Sequence, residues 1–266
     1  MSLDLDALWQ KASRAVEENQ LGQPPPVRPQ VAALPPPATV FDLAQLIDET
    51  LLRPDATDQE MDAFLTRARE FPFKTVCVHG RYVARAADTL LGSGVGVACV
   101  IGFPHGAQAA SAKAAEAQLA EGAGASELDM VIPIGALRSG RLDELGEDIG
   151  AVRQAAPRLV LKVILETSLL SPEEMATGAL TAALAGADLV KTSTGFASGG
   201  ATVESVRILR AVVPATVGVK ASGGVRSLAE LFAMVAAGAT RIGTSRGHAL
   251  LTEFRSHHGT SGLARP

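Results

Sequence analysis

The amino-acid sequence predicts an α/β protein, a single (β/α)8 barrel that follows an N-terminal helical and Pro-rich extension. Eight short apolar runs recur along residues 46–245, and eight is the strand number of such a closed barrel. The runs are apolar almost throughout instead of alternating, as in parallel strands that are covered on both faces. Longer Ala-rich stretches separate the runs, as helices separate parallel strands.

The first forty residues differ from the rest of the chain. Residues 3–20 could form a short amphipathic helix, and seven of the 15 prolines then fall between positions 24 and 37. Such a segment cannot donate ladder hydrogen bonds and favours polyproline II. We expect a disordered leader over residues 1–40 and a barrel over 41–266. The alternatives are an arm that docks on a neighbouring subunit or a ligand for a proline-binding partner.

The apolar runs from residue 46 onward supply the predicted strands. In chain order they are LIDETLL, KTVCVH, VGVACVIGF, ELDMVIPIG, LVLKVILET, DLVKTSTG, TVGVKAS and TRIGTS. An open doubly wound sheet is the alternative architecture. The sequence favours the barrel because no GxGxxG motif follows the first run and because the strand count is eight.

Capping signals mark where the intervening helices begin and end. A Ser or Thr followed three residues later by Glu indicates capping boxes at Thr57 with Glu60, Ser171 with Glu174, and Ser227 with Glu230. Gly-Ala pairs stand directly before three strand runs, where glycine suits a helix C-terminal cap, at Gly124, Gly186 and Gly238.

Composition excludes several classes of protein. A formal charge of −4 and a pI near 5.8 argue against a generally basic nucleic-acid binder. No apolar run approaches the roughly 18 to 20 residues of a membrane span, and the acidic N-terminus does not resemble a signal peptide. Cys77 and Cys99 lie inside apolar runs, which suits a reducing compartment. We therefore expect a cytoplasmic protein with no nucleic-acid or membrane partner.

The placement of lysine is the most informative feature of the sequence. The chain has eighteen arginines but only six lysines, and three of those lysines lie inside strand runs. Lys162, Lys191 and Lys220 are separated by 29 residues each, about one strand–helix unit. A buried lysine beside another cation has a lowered pKa and can attack a carbonyl to form a Schiff base. The structural alternative is a set of lysines that are paired with carboxylates.

Carboxylates that could partner these lysines also lie in the runs. Asp129, Asp48 and Glu166 are the candidates, and Glu127 shares the face of Asp129 at a deeper level. Asp129 could orient a lysine and move protons through a water molecule. Each of the carboxylates could instead be a structural ion-pair partner.

Glycine-rich turns follow the last three strand runs. Loops after the last two strands of a barrel commonly bind a phosphate through backbone N–H groups. The candidate phosphate-binding residues are Gly223, Gly224, Gly243, Thr244 and Ser245, with Arg246 as a nearby cation. Ordinary tight turns would also use glycine, but together the loops predict a phosphorylated substrate.

Six motifs in order resemble the deoxyribose-phosphate aldolases over residues 46–250. They are DETLLRPDAT, VIGFPHGA, ELDMVIPIGAL, LKVILETSLL, VKTSTGF and VKASGGVRS. The resemblance implies a TIM barrel and a class I aldolase that needs no metal and no cofactor. It implies reversible cleavage of 2-deoxy-D-ribose 5-phosphate to D-glyceraldehyde 3-phosphate and acetaldehyde. It also implies a homodimer or a larger homo-oligomer.

The resemblance assigns a role to each candidate residue. Lys191 would form the Schiff base, Lys220 would be its cationic neighbour and Asp129 would relay protons, while Lys162 and Asp48 match pocket positions. The phosphate would bind against Gly223, Gly224, Thr244 and Ser245. His105 could contact substrate or be a turn residue. Two other functions remain open: a Schiff-base aldolase for another aldol adduct, and a non-catalytic barrel that binds a phosphosugar.

Overall fold

Eight parallel strands close into a barrel in the computed structural model, which describes residues 3–258. The strands follow one another around the barrel, and the last pairs with the first, with Asp48 opposite Gly243. This closure confirms the predicted (β/α)8 barrel and excludes the open sheet. The strands are β1 (Ile47–Thr50), β2 (Thr75–Val78), β3 (Gly96–Ile101), β4 (Glu127–Val131), β5 (Val160–Ile164), β6 (Leu189–Lys191), β7 (Gly218–Ser222) and β8 (Arg241–Thr244).

Helices surround the barrel and connect its strands. They are α1 (Leu5–Glu18), α2 (Val40–Ala44), α3 (Asp58–Arg69), α4 (Val83–Leu90), α5 (Ala110–Gly122), α6 (Ile134–Arg138), α7 (Leu142–Ala155), α8 (Pro172–Leu184), α9 (Val203–Val212), α10 (Leu228–Ala236) and α11 (Gly247–His258). Short 3-10 turns at Gly80–Tyr82 and Thr167–Leu169 precede α4 and α8. Within residues 3–258, no helix combines the length and the apolar character that crossing a membrane requires.

The local signals in the sequence account for the helix ends. All three predicted capping boxes form, because each Ser or Thr accepts from the third helical N–H while the Glu accepts from the capping residue, at the starts of α3, α8 and α10. Gly124, Gly186 and Gly238 have φ values of +98°, +98° and +111°. A residue with a Cβ rarely adopts this conformation, so these glycines let each helix turn directly into the next strand.

Each strand sends alternate side chains to opposite sides of the barrel wall. In β5, Leu161 and Val163 pack outward into the hydrophobic core beneath the helices, whereas Lys162 points into the barrel. The register places Asp129 beside Lys162 and Lys191 beside Lys220. Parallel pairing therefore gathers the polar groups of several strands at one level of the barrel interior.

Helix α1 confirms the helix predicted over residues 3–20, but it packs on the barrel and does not belong to the disordered leader that we expected. Helix α1 packs against α8 and α9, and it buries Leu8, Ala12 and Val16 at four-residue spacing. These residues form one apolar stripe on a helix, which explains why the segment is folded. Lys11 and Glu173 add an exposed ion pair at 3.2 Å. Residues 1, 2 and 259–266 of the predicted extension and barrel lie outside the described residues.

Candidate active site

Three lysines converge on Asp129 in the barrel interior. The Nζ atoms of Lys191 and Lys220 each lie 2.7 Å from Asp129 Oδ2, and Lys162 Nζ lies 2.6 Å from Oδ1. All four residues are buried. The expectation that the lysines occupy related depths on three successive strands is therefore confirmed by the geometry. The Asp129 carboxylate is the partner that all three lysines share.

A second set of ion pairs lies next to Asp129 and its three lysines. Asp48 accepts from Lys220 Nζ and from Arg241 Nη1, at 2.5 and 2.7 Å, while Glu127 lies 2.7 Å from Lys162 and 3.0 Å from Arg241. Glu127 is thus the deeper carboxylate that the strand alternation predicted. Sequence reasoning overlooked Arg241. The signal was present, because Arg241 is a cation inside the apolar run TRIGTS, just as the lysines lie inside theirs.

The charges of this buried cluster do not balance if every group is ionised. Four basic side chains, including Arg241, face the three carboxylates of Asp48, Glu127 and Asp129. An uncompensated buried charge is costly, so one base is expected to lose its proton. Arginine keeps its proton in proteins, which leaves the three lysines as candidates.

The surroundings of the lysines select Lys191 as the neutral base. Burial lowers the pKa of Lys191, and the Lys220 ammonium lowers it further, while Asp129 only partly opposes the shift. Burial also lowers the pKa of Lys162 and Lys220, but several carboxylates outweigh that effect and raise both pKa values above that of an ordinary lysine. The lysines hold the pKa of Asp129 well below its usual range, although burial opposes them.

A cavity of about 510 Å³ opens above this cluster at the carboxyl ends of the strands. Lys191 lines it, whereas Asp48, Asp129, Lys162 and Lys220 lie beneath it and do not. A ligand in the cavity therefore meets Lys191 before any other member of the cluster.

Every candidate phosphate-binding residue lines the same cavity. These are Gly223 and Gly224 in the loop after β7, Gly243 and Thr244 at the end of β8, and Ser245 directly after it. Gly223 and Gly224 have φ values of +85° and +86°, a conformation that residues with a Cβ rarely adopt, and the backbone of Gly223 leaves no room for a Cβ on Gly200. The Thr244 hydroxyl already donates to Val225 O at 2.8 Å, so this residue offers its backbone rather than its hydroxyl hydrogen.

Three other candidates lie outside the cavity. His105 is in an exposed turn, and Arg246 does not line the cavity wall. Glu166 was expected on a strand, but β5 ends at Ile164. Its backbone is left-handed with φ +58°, and its carboxylate accepts from the backbone N–H and the hydroxyl of Thr194. Glu166 thus clamps the loop after β6 and does not contact the lysines.

The mouth of the cavity contains residues that sequence reasoning did not single out. Arg53 and Arg226 line it on the side of the loops after β1 and β7. Arg53 directly follows the first strand run, and Arg226 lies four residues after the seventh. Phe196 lines another side and is 48% exposed, with its ring 5.2 Å from that of Phe103. Within residues 3–258, no three His, Cys, Asp or Glu side chains form a group that could hold a metal ion.

Comparison with known proteins agrees with this geometry. The family model described as DeoC/LacD family aldolase matches residues 43–257. The deoxyribose-phosphate aldolase of Brevibacillus brevis is 51% identical over 212 residues, which cover 80% of this chain and 96% of that protein. The enzyme of the same name from Staphylococcus carnosus is 50% identical over 216 residues, covering 81% of this chain and 98% of that protein.

A solved structure extends the similarity to the N-terminal segment. The deoxyribose phosphate aldolase from Aeropyrum pernix, described as having a unique tetrameric structure, superposes with a TM-score of 0.75 at 30% identity. The match covers 96% of this chain and 100% of that one. The matched family model, the identity to these relatives and the shared fold confirm the resemblance that the sequence motifs indicated. The chain belongs to the DeoC/LacD family of aldolases.

Proposed function

We propose that this chain is a deoxyribose-phosphate aldolase that cleaves 2-deoxy-D-ribose 5-phosphate reversibly to D-glyceraldehyde 3-phosphate and acetaldehyde. It is a lyase, and Lys191 forms the Schiff base. The observation that carries the proposal is the position of Lys191, at the floor of the cavity, with a lowered pKa beside the protonated Lys220. Relatives about 50% identical that carry this name support the substrate.

The first step is attack by the neutral Lys191 amine on the C1 aldehyde of the open-chain sugar phosphate. Loss of water gives an imine, and its protonated form is an electron sink. Lys220 and Lys162 stay protonated because the carboxylates of Asp48, Asp129 and Glu127 surround them. The cluster therefore keeps one base free for covalent chemistry while its other lysines supply positive charge.

Carbon–carbon cleavage follows when the C3 hydroxyl loses its proton. Acetaldehyde contains two carbons, so the bond that breaks is C2–C3, and its electron pair moves into the imine to form an enamine. A water molecule held by Asp129 and Lys162 would take the hydroxyl proton. Glyceraldehyde 3-phosphate departs, C2 of the enamine is protonated, and hydrolysis releases acetaldehyde and restores Lys191.

The loops after β7 and β8 would bind the phosphate end of the substrate. Gly223, Gly224, Gly243, Thr244 and Ser245 line the cavity wall there and would offer backbone N–H groups, and Arg226 adds a positive charge. This arrangement supports a phosphorylated substrate over a neutral sugar, because phosphate needs several convergent donors and a nearby cation.

We also propose the remaining features of the protein. Residues 41–266 form the catalytic barrel, residues 1–40 form its extension, and the chain assembles into a homo-oligomer in the cytoplasm. The tetrameric structure of the Aeropyrum pernix relative supports the oligomer. The free, buried Cys77 and Cys99 suit a reducing compartment.

Steady-state cleavage of 2-deoxyribose 5-phosphate tests the proposal. Lys191→Arg should abolish turnover with the fold intact, since arginine keeps the charge but cannot form an imine. Lys74→Arg, an exposed lysine, is the matched control and should retain full activity. Turnover in the Lys191→Arg variant would reject Lys191 as the nucleophile. A wild-type protein that binds the sugar phosphate without cleaving it would instead be a binding barrel, and cleavage of a different aldol adduct would indicate another aldolase.

A further inference from the structure

The loop that joins β8 to α11 carries part of the proposed phosphate site. Thr244 and Ser245 line the cavity, and α11 begins at Gly247, two residues further on. The first N–H groups of a helix have no partner within the helix and need acceptors from elsewhere. Arg246 stands directly before the helix, and its side chain has no acceptor atom. The Arg246 N–H donates to the Thr244 hydroxyl at 3.1 Å, so the N–H groups of the helix itself need an acceptor from outside this loop.

Glu49 supplies this acceptor from the other end of the chain. The Gly247 N–H donates to Glu49 Oε2 at 2.7 Å, and the His248 N–H also interacts with the carboxylate. Glu49 follows Asp48 in β1, so its side chain leaves the barrel wall on the side opposite to the lysine cluster. A Cβ on residue 247 would collide with the Glu49 carboxylate, which explains the glycine there.

We propose that Glu49 is a positioning residue that fixes the phosphate-binding loop between β8 and α11. It acts through Gly247 and does not contact the substrate. The inference rests on the proposed function, in which Thr244 and Ser245 bind the phosphate of the substrate. Because Glu49 Oε2 holds the first residue of α11, it limits how far the preceding residues can move away from the cavity.

The burial of Glu49 and the charges around it agree with a role that depends on its hydrogen bond with Gly247. Its side chain is only 7% exposed, and Phe73 and Ile47 pack against the same Gly247. Burial raises the pKa of Glu49 to about 7, although the N–H groups of Gly247 and His248 and the Arg67 guanidinium on α3 favour the ionised form. Because burying a carboxylate costs free energy, Glu49 depends on its hydrogen bonds with the N–H groups of Gly247 and His248 to stay in this position.

Three substitutions separate the hydrogen bond from the volume of the side chain. Glu49→Leu removes the acceptor at similar volume, Glu49→Gln keeps an acceptor oxygen, and Glu49→Asp retracts the carboxylate from Gly247. Glu49→Leu should raise KM for 2-deoxyribose 5-phosphate about tenfold and change kcat less than about twofold. KM for unphosphorylated 2-deoxyribose should stay unchanged. Glu49→Gln should restore most of the affinity, and Glu49→Asp should show a smaller KM increase.

Calorimetric titration with inorganic phosphate provides a readout that does not depend on turnover. The expected order of affinity is wild type and Glu49→Gln above Glu49→Asp and Glu49→Leu. If Glu49→Leu does not unfold cooperatively, the Asp and Gln variants decide the comparison. Equal phosphate affinity in all folded variants, or equal KM increases for both sugars, would overturn the inference. If the four proteins show this order of phosphate affinity but the wild-type protein does not cleave the sugar phosphate, the proposed function is rejected and the positioning role of Glu49 stands.

Discussion

Lys191 and Lys220 are neighbours in register on β6 and β7, yet their environments favour opposite protonation states. Lys220 contacts two carboxylates, Asp48 and Asp129, whereas Lys191 contacts Asp129 alone and lines the cavity. The shared carboxylate Asp129 cannot neutralise both lysines and Lys162 as well. The lysine with fewest carboxylate partners is therefore the one that releases its proton most readily.

Removal of the Lys220 charge tests this electrostatic division. With Lys220→Met, the pKa of Lys191 should rise, because a nearby cation disappears and Asp129 loses a competing partner. Because Lys191 must be neutral to react, the rise of kcat/KM with pH should move about 1 to 2 pH units higher. The measurement is the pH profile of kcat/KM, with Lys74→Met as the surface control. An unshifted profile with lower activity at every pH would contradict the role assigned to Lys220.

Single-residue signals in the sequence predicted most of the cluster but not all of it. A lysine within an apolar strand run is conspicuous, so Lys162, Lys191 and Lys220 could be identified without a structure. Arg241 carried the same signal, but arginine is common in this chain, and only the ion pairs to Asp48 and Glu127 reveal its place. Glu49 could not be predicted as a cap, because Gly247 lies 198 positions away in sequence.

At the scale of secondary structure, local patterns predicted the strands and most helix ends correctly. The eight apolar runs and the three capping boxes depend on neighbouring residues, which sequence reasoning can evaluate directly. Whether α1 is folded depends on a packing surface that only the folded barrel provides. Its amphipathic pattern could be predicted from the sequence, but its packing against α8 and α9 could not.

Truncation of one side chain in α1 tests whether this helix is part of the folded unit. Leu8 is 6% exposed, so Leu8→Ala should lower the free energy of unfolding by about 2 to 3 kcal/mol. Leu91 is 78% exposed and provides the control, since Leu91→Ala should change stability by less than about 0.5 kcal/mol. Denaturant unfolding of each variant and of the wild-type protein measures both changes in the free energy of unfolding. Equal stability of the two variants would show that α1 contributes little to the barrel.

At the scale of the whole molecule, closure of the barrel creates the site. Asp48 in the first strand contacts Lys220 and Arg241 in the last two strands because β1 pairs with β8. An open sheet of the same strands would separate these charges and leave them without partners. The same closure places the loops after β6, β7 and β8 around one cavity above Lys191.

Borohydride trapping detects a Schiff base on Lys191 without relying on turnover. The protein is mixed with acetaldehyde, reduced and characterised by intact mass and peptide mapping. We expect a single ethyl adduct on Lys191 and none on Lys220 or Lys162, whose pKa values are raised. The absence of an adduct, or adducts distributed over surface lysines such as Lys74, would contradict the covalent mechanism.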